Sequence, residues 1–570
     1  MSTPEYAAGT LAPPKPEIKV RGLPERRARW IDWVATTDHK KIGVLYLFTT
    51  LFFFILGGVE ALLMRIQLGA PDNTFLDATT YNQLFTLHGT TMIFFVVVPI
   101  FAGFANYLVP LMIGARDVAF PRLNMLSWWL LLFGGTILYG TLFFTPPAAG
   151  WTSYAPLSED TFMPAGIDAW IIALHLVGLS SIIGAINFIV TITNMRAPGM
   201  SLSRMPLFVW TILIYSYLII LAISSFAATL AMLLVDRNFS GTFFNAAEGG
   251  APLLWQHLFW FMGHPEVYIM VLPAFGILSE VIPVFARKPI FGYKALVLAT
   301  AAIAFLSLLV WGHHMFATPI PVGAMAFFMI SSLIIAVPTG IKIFNWLATL
   351  WRGSIEFRIP LLFCVAFIAQ FVIGGVSGVI LSVFTVDWQL TDTYFVVAHM
   401  HYVLFGGTMF GILAGVYYWF PKMTGRLLSE GMGKLSFWIT VIGFNMAFLP
   451  MHSAGMSGMP RRIVEYSGAQ GAPDLEGYNI VSTIGSFVLG VGVLITVINI
   501  IVSIRNGRPS GPDPWRGNTL EWFTTSPPPE HNFDVIPPVR SAEPMKDIRK
   551  RVREQDQRWT TGQRAPEPVN

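Results

Sequence analysis

The chain has 570 residues, 54% of them hydrophobic and 12% charged, with a mean hydropathy of +0.60; a soluble domain carries roughly twice that charged share, so a water-soluble globule is excluded. The net charge of +4 fits basic loops on one face of a membrane protein better than a nucleic-acid site, and no nucleic acid is expected. The single cysteine, Cys364, excludes a disulfide framework, an iron–sulfur cluster and C-x-x-C-H haem attachment on this chain.

Residues 1–41 are polar and Pro-rich and lack the apolar stretch of a cleavable signal. They are read as an extended N-terminal segment, and the first span as the insertion signal. Apolar blocks of membrane-spanning length follow at 42–66, 84–113, 123–146, 169–194, 207–235, 253–286, 292–317, 322–350, 358–385, 393–420, 435–455 and 478–505. Irregular backbone cannot face lipid, so the blocks are helices, and Pro99, Pro265 and Pro338 mark kinks rather than ends. The expected fold class is an all-α polytopic membrane protein with twelve transmembrane helices over 42–506, followed by a charged, Pro-rich tail at 507–570 that is expected to be extended or disordered.

Twelve spans put both termini on one side. Loops on that side hold Arg116, Arg122, Arg196, Arg204, Arg287, Lys288, Lys294, Arg352, Arg358, Lys422, Arg426 and Lys434. The opposite loops offer mainly Arg237, Arg461 and Arg462. The excess of positive charge makes both termini cytoplasmic.

With a rise of ~1.5 Å per residue, this orientation turns residue number into depth. His88, His264, His313, His314, His399 and His401 come from four spans and fall in one slab of the outer bilayer. A lone histidine there is most simply a hydrogen-bonded core residue. Six at one depth point to metal, because imidazole suits copper, zinc, iron and nickel and is the common axial ligand of haem. His399 and His401 are two residues apart, so they face opposite sides of their helix and cannot share one ion, but each can ligate a different one. His264 and Tyr268, in "GHPEVY", share a face one turn apart. At least two metal centres follow. His39, His175, His257, His452 and His531 show no grouping and take a structural or solvated reading.

Polar residues continue toward the cytoplasmic side. Asp117 lies in "GARDVAFPRLN", between Asn106 and Asn124; Ser180, Ser181 and Asn187 run down the fourth span; Glu266 sits on the sixth; Lys342 has Thr339 one turn above it. Interhelical hydrogen bonding accounts equally well for the amides and hydroxyls. Ionisable groups such as Lys342 and Glu266 inside a bilayer call for a function, and two series of polar stations leading to the histidines read as proton paths.

Six segments, "TLHGTTMIFF", "WQHLFWFMGHPEVYIM", "WGHHMFATP", "PTGIKIF", "VVAHMHYVLFGG" and "GMPRR", resemble subunit I of the haem-copper oxidases, specifically the bacterial A-type cytochrome c oxidases. The resemblance covers roughly residues 30–535. It implies that His88 and His399 are the axial ligands of a low-spin haem and His401 the single axial ligand of a high-spin haem, both of the A type. His264, His313 and His314 would hold one copper ion, with Tyr268 bonded covalently to His264. Arg65 and Trp151 match residues beside the low-spin haem's formyl group, and Arg461 and Arg462 match arginines that bind haem propionates. Asp117, Asn106, Asn124, Ser180, Ser181, Asn187 and Glu266 would form one proton pathway, and Thr339 and Lys342 the other.

The same resemblance implies reduction of O2 to water with electrons from cytochrome c, coupled to proton uptake and pumping across a bacterial plasma membrane. It also implies a subunit II carrying a dinuclear copper site, and a subunit III. Two positions depart from the family. Thr391 replaces a histidine of an outer magnesium or manganese site, leaving Asp392; Gln67 stands where some relatives have a cation-binding glutamate. The nearest rival is a quinol oxidase of the same superfamily. Leu56, Glu60, Thr80 and Gln83 stand where its quinone site has an Arg, an acid, a His and a Gln, so the cation and the imidazole are missing.

Overall fold

The computed structural model describes residues 30–159, 166–467 and 475–561. The extended readings of 1–29 and 562–570 fall outside the described residues. Among those described there is no β-strand, only two isolated bridges, Thr393 with Pro460 and Arg426 with Pro509.

Among the described residues, eleven helices are long and apolar enough to cross a membrane: α1 (His39–Gln67), α2 (Ala78–Ile113), α3 (Pro121–Phe143), α4 (Gly166–Asn194), α5 (Leu207–Asn238), α6 (Pro252–Phe285), α8 (Val322–Leu350), α9 (Ile359–Leu381), α10 (Tyr394–Thr424), α11 (Glu430–Met456) and α12 (Leu475–Asn506). The seventh apolar block gives a shorter helix, α7 (Tyr293–Ser307), followed by a 3-10 turn at Trp311–Met315. The ends are set locally. The carboxylates of Asp38 and Asp77 accept backbone N–H groups at the starts of α1 and α2, and Pro252 occupies the first turn of α6. Gly114 and Gly425, at φ of 74° and 71°, close α2 and α10 in the left-handed conformation.

Burial ranks the helices. In both α2 and α6, 83% of the most apolar window is buried inside the protein, against 28% in α8 and α12. The two central helices therefore carry polar groups into the interior, while the peripheral ones expose apolar surface as lipid-facing helices do. Pro99, Pro265 and Pro338 all lie inside continuous helices, as expected. In α2 the chain widens into a π-helical stretch, Thr91–Val97, just before Pro99. Proline has no N–H and its ring collides with the carbonyl four residues back, and a wider turn relieves both. A second π-helical stretch, Leu404–Met409, interrupts α10. Here Gly406 and Gly407 allow close approach, since a Cβ on Gly406 would sit 2.8 Å from Gln370 Cβ.

Helices α11 and α12 pack through small residues. A Cβ on Gly485 would press into the backbone nitrogen of Ala447, one on Gly443 into that of Leu489, and one on Gly492 into the hydroxyl of Thr440. Gly485→Ala is accordingly expected to destabilise the bundle by about 1–3 kcal/mol. A lowered thermal midpoint of the purified protein would report it, and an unchanged midpoint would show that the helices part freely.

The C-terminal segment corrects the expectation of an extended tail. From 507 to 554 it packs over the end of the bundle where α1 begins and α2 and α10 finish. Leu520, Trp522, Phe533 and Val539 are buried. Lys422 Nζ at the end of α10 donates to the carbonyls of Pro512, Thr524 and Thr525 at 3.1, 2.8 and 3.2 Å. Trp419 Nε1 donates to Glu521 at 3.1 Å, and Arg549 pairs with Asp513 at 2.9 Å. Burial raises the carboxyls of Glu521 and Asp513 above their usual range. A helix, α13 (Pro544–Thr561), ends the described chain.

Candidate active site

Three histidines converge between α6 and the turn after α7. The ligating atoms of His264, His313 and His314 all lie within 4.8 Å of one another. His264 Nδ1 is 3.1 Å from His314 Nε2, close to the ~3.3 Å between two nitrogens on one tetrahedral ion with metal–nitrogen bonds of about 2.0–2.1 Å. His313 Nδ1 is 2.7 Å from Ser332 Oγ of α8, which leaves its Nε2 for a metal. Neighbouring histidines can turn toward one point because the chain tightens to a 3-10 turn there, and Gly312 permits it: a Cβ would collide with the Phe328 ring. The His314 ring stacks on Trp260 at 3.9 Å and 12°. The turn is held further by Trp311 Nε1, which donates to His257 Nδ1 at 3.2 Å. Tyr268 lies one turn beyond His264 with ring centroids 4.9 Å apart.

The other three histidines share one device. His88 Nδ1 is 2.8 Å from the Gly57 carbonyl, His399 Nδ1 is 2.9 Å from that of Gly374, and His401 Nδ1 is 2.8 Å from that of Val397. A carbonyl only accepts, so each Nδ1 carries the proton and each Nε2 presents its lone pair. The rings of His88 and His401 are nearly parallel, at 13°, with centroids 6.4 Å apart. Two imidazoles on opposite sides of one iron, with bonds of about 2.0 Å, would place their centroids roughly 6.3 Å apart. His399, on the other face of α10, lies within Coulombic range of His264, His313 and His314.

The ring that lies parallel to His88 is that of His401, not that of His399, the residue expected to pair with it, and His399 has the trio within reach instead. Two-residue spacing makes the faces opposite, but only the rotation of α10 against α1 and α2 decides which face is which. Gly378 makes room for His399, since a Cβ would stand 2.7 Å from its Cε1.

The arginines expected around haem groups keep some of their donors buried and free. Arg65 uses Nη2 on the Asn479 carbonyl and side chain and on Thr483 Oγ1 at 2.9–3.0 Å, while its Nε and Nη1 are buried without a protein partner. Trp151 packs on the helix of His88, where a Cβ on Gly89 would touch it at 3.0 Å. Arg462 lies over the Phe85 ring at 5.1 Å with its Nε buried and unpartnered. Burial first, and Arg461 beside it second, hold the Arg462 guanidinium down to about 10. Buried, partly unpaired guanidinium donors fit the formyl and carboxylate substituents of a haem. Asp392 is engaged by Arg461, with Oδ1 2.7 Å from Nε, so the remaining carboxylate of the outer magnesium or manganese site already has a cation. Sequence reasoning passed over Asp387 nearby, whose carboxyl is pushed up to about 7, by burial first and by Asp392 second.

Toward the other end, the expected pathway residues divide. Ser180 Oγ donates to the Ser127 carbonyl at 2.6 Å, and Tyr46 OH reaches Ser127 Oγ at 2.8 Å and Ser180 Oγ at 3.2 Å. Both amide atoms of Asn124 are buried without a partner. Ser181 and Glu266 line one cavity of ≈ 10 Å³, about the room for a single water, and both Glu266 oxygens are buried and unpartnered. Asn187, by contrast, anchors a loop, its Oδ1 accepting Phe120 N–H at 2.9 Å. Lys342 Nζ donates to Thr300 Oγ1 at 2.5 Å and to the Leu296 carbonyl at 3.3 Å. Thr339 bonds back to Ile335 of its own helix at 2.8 Å. Thr300 and Tyr46 were not singled out from the sequence; each is one of a few hydroxyls in a mainly apolar helix, with nothing to set it apart from the others.

The chain matches the family model described as "Cytochrome C and Quinol oxidase polypeptide I" over residues 41–488. It is 53% identical over 523 residues to a "Probable cytochrome c oxidase subunit 1-beta" of Nocardia farcinica, covering 90% of this chain and 87% of that protein. It is 50% identical over 532 residues to "Cytochrome c oxidase subunit 1" of Bacillus subtilis, covering 92% and 85%. Among solved structures, a chain from "Cryo-EM structure of a heme-copper terminal oxidase dimer provides insights into its catalytic mechanism" superposes with a TM-score of 0.71 at 19% identity, covering 91% of this chain and 99% of that one. At that identity the likeness concerns the fold.

Proposed function

The chain belongs to the cytochrome c and quinol oxidase polypeptide I family, as do its bacterial relatives at about half identity, and from that premise we propose that it is the catalytic subunit of a proton-pumping cytochrome c oxidase. His88 and His401 would hold a low-spin haem, His399 a high-spin haem, and His264, His313 and His314 a copper ion. When bound, these groups supply one-electron redox steps and the place where O2 is reduced to water. The parallel His88–His401 pair beside the three-histidine cluster carries this reading.

The protein's own residues supply position and protons. The carbonyls of Gly57, Gly374 and Val397 fix three imidazoles in the ligating tautomer. Tyr268, beside His264, is placed to give a proton and an electron at the oxygen site, and its ring is the one to which His264 would be bonded. Lys342 with Thr300 carries protons toward that site. Asp117, Asn106, Asn124, Ser180, Ser181 and Glu266 form a second route, extended by Tyr46 and Ser127. Burying an unpartnered ionised carboxylate costs several kcal/mol, so Glu266 is better explained as a proton carrier than as packing.

In this reading α7 and its turn form a twelfth span and both termini are cytoplasmic. The site lies toward the outer face of a bacterial plasma membrane, and electrons come from cytochrome c through a partner subunit with a dinuclear copper site, beside a subunit III.

The test is the metal content and reduced-minus-oxidised spectrum of the purified complex, expected to give two haems and one copper in this chain. His313→Ala is expected to remove the copper while both haems remain; retention of copper would refute the ligand set. Oxygen consumption driven by quinol but not by cytochrome c would move the electron donor to the quinol branch.

A further inference from the structure

The C-terminal segment reaches the mouth of the Asp117 pathway through one side chain. Asn532 is fully buried between the start of α1 and the loop joining α2 to α3. Its Oδ1 accepts from Lys40 Nζ at 2.9 Å. Its Nδ2 donates to the adjacent carbonyls of Ala115 and Arg116 at 2.9 and 3.1 Å, and lies 2.9 Å from His39 Nε2. His39 Nδ1 is 2.6 Å from the Asn106 carbonyl. That oxygen can only accept, so in the neutral ring Nε2 is the acceptor for Asn532.

One amide thus ties both sides of the recess that holds Asp117: Lys40 and His39 on one side, the backbone just before Asp117 on the other. It also links that loop, through His39, to Asn106. The Asp117 carboxyl accepts Val118 N–H at 2.7 Å. Burial pushes it up to about 6; Asp38 adds to the rise, while the Val118 and His39 N–H groups and Lys40 oppose it. The neighbouring Arg116 is exposed.

We propose that Asn532 is a positioning residue for proton uptake at Asp117, so that the C-terminal segment forms part of the pathway's mouth. This rests on the reading of Asp117 as the first station of that pathway. Anchorage of the segment alone does not require Asn532, because Lys422, Trp419 and the buried Trp522 hold it elsewhere.

The test uses the purified oxidase complex, with a pH-indicating dye following proton uptake during a single oxidation of the reduced enzyme by O2. Asn532→Ala is expected to slow uptake about tenfold, the scale of one lost hydrogen bond to a charged group. The haem and copper spectra, and the electron transfers that precede uptake, should stay unchanged. Asn532→Ser, which keeps a donor and an acceptor, should recover most of the rate. In an Asp117→Asn background, Asn532→Ala should add no further slowing, because the two act through one site.

Wild-type uptake in Asn532→Ala, or fully additive slowing on top of Asp117→Asn, overturns the assignment. Should Asn532→Ala lose haem, Asn532→Asp decides: it keeps the acceptor for Lys40 and removes the donors to Ala115 and Arg116, so slow uptake with intact haem supports the role and normal uptake rejects it. Normal uptake in Asp117→Asn alone would sink the pathway reading itself, and with it this inference.

Discussion

His401→Ala is expected to abolish oxygen reduction and to erase the absorption of the six-coordinate haem, while the copper and the five-coordinate haem stay bound. His399→Ala should give the reverse: loss of the high-spin haem, with the bis-imidazole signal intact. The loss of haem in each should exceed the ~10–100-fold drop in affinity that removing a mere hydrogen-bonding neighbour of a ligand costs. The expectation follows from the parallel rings of His88 and His401 at 6.4 Å, a separation that a single iron would fill. Low-temperature magnetic resonance of the oxidised protein distinguishes the two cases, since only the low-spin centre has two nitrogen axial ligands. If His399→Ala removed the low-spin signal and His401→Ala kept it, the rotation of α10 described above would be wrong.

The second large effect concerns Lys342. It is almost completely buried, with its Nζ on Thr300 Oγ1 and 5.3 Å from the centroid of the Phe275 ring. Lys342→Met keeps the volume and removes a buried cation, a change that cores commonly accept without loss of stability. Haem and copper contents should therefore be normal. Turnover should fall by ~10²–10⁴-fold, the contribution of a positioned proton-transfer group. Thr300→Val should give a milder loss, because Lys342 retains the Leu296 carbonyl. Oxygen consumption near the unmodified rate in Lys342→Met would remove this residue from the proton path.

What the sequence could and could not convey follows from the physics of each feature. Spans are legible because the bilayer imposes length and apolarity together, and helices α1, α2, α8 and α12 end within a few residues of the apolar blocks. The seventh was overlong because hydropathy runs on past Ser307, whereas His313 and His314 require a tighter turn that hydropathy does not register. The opposition of His399 and His401 was also legible, from helical phase. Which of the two faces His88 was not, because phase is relative and the absolute rotation of α10 depends on packing against Phe448, Gly374 and Gly378. The C-terminal segment was misread because its composition is that of an extended chain. Its order comes from a few widely spaced anchors, such as Leu520, Trp522 and Asn532, and these carry no periodicity. Thr300 and Ser332 escaped notice because a hydroxyl in a mainly apolar helix usually bonds its own backbone, as both also do here.

The widened turns of α2 and α10 divide each of these helices into two independently phased halves. A π-helical stretch accommodates one residue more than a regular helix over the same rise, and each residue is worth ~100° of rotation. In α2, His88 precedes the stretch Thr91–Val97 and Asn106 follows it. In α10, His399 and His401 precede Leu404–Met409, and Lys422 follows it. The aim of the metal-binding end is thereby uncoupled from the aim of the opposite end. Without the insertion, any rotation that oriented an imidazole on an iron would also swing the pathway amide or the lysine gripping the C-terminal segment. With it, one continuous rod satisfies two geometries that a regular helix would force into a compromise.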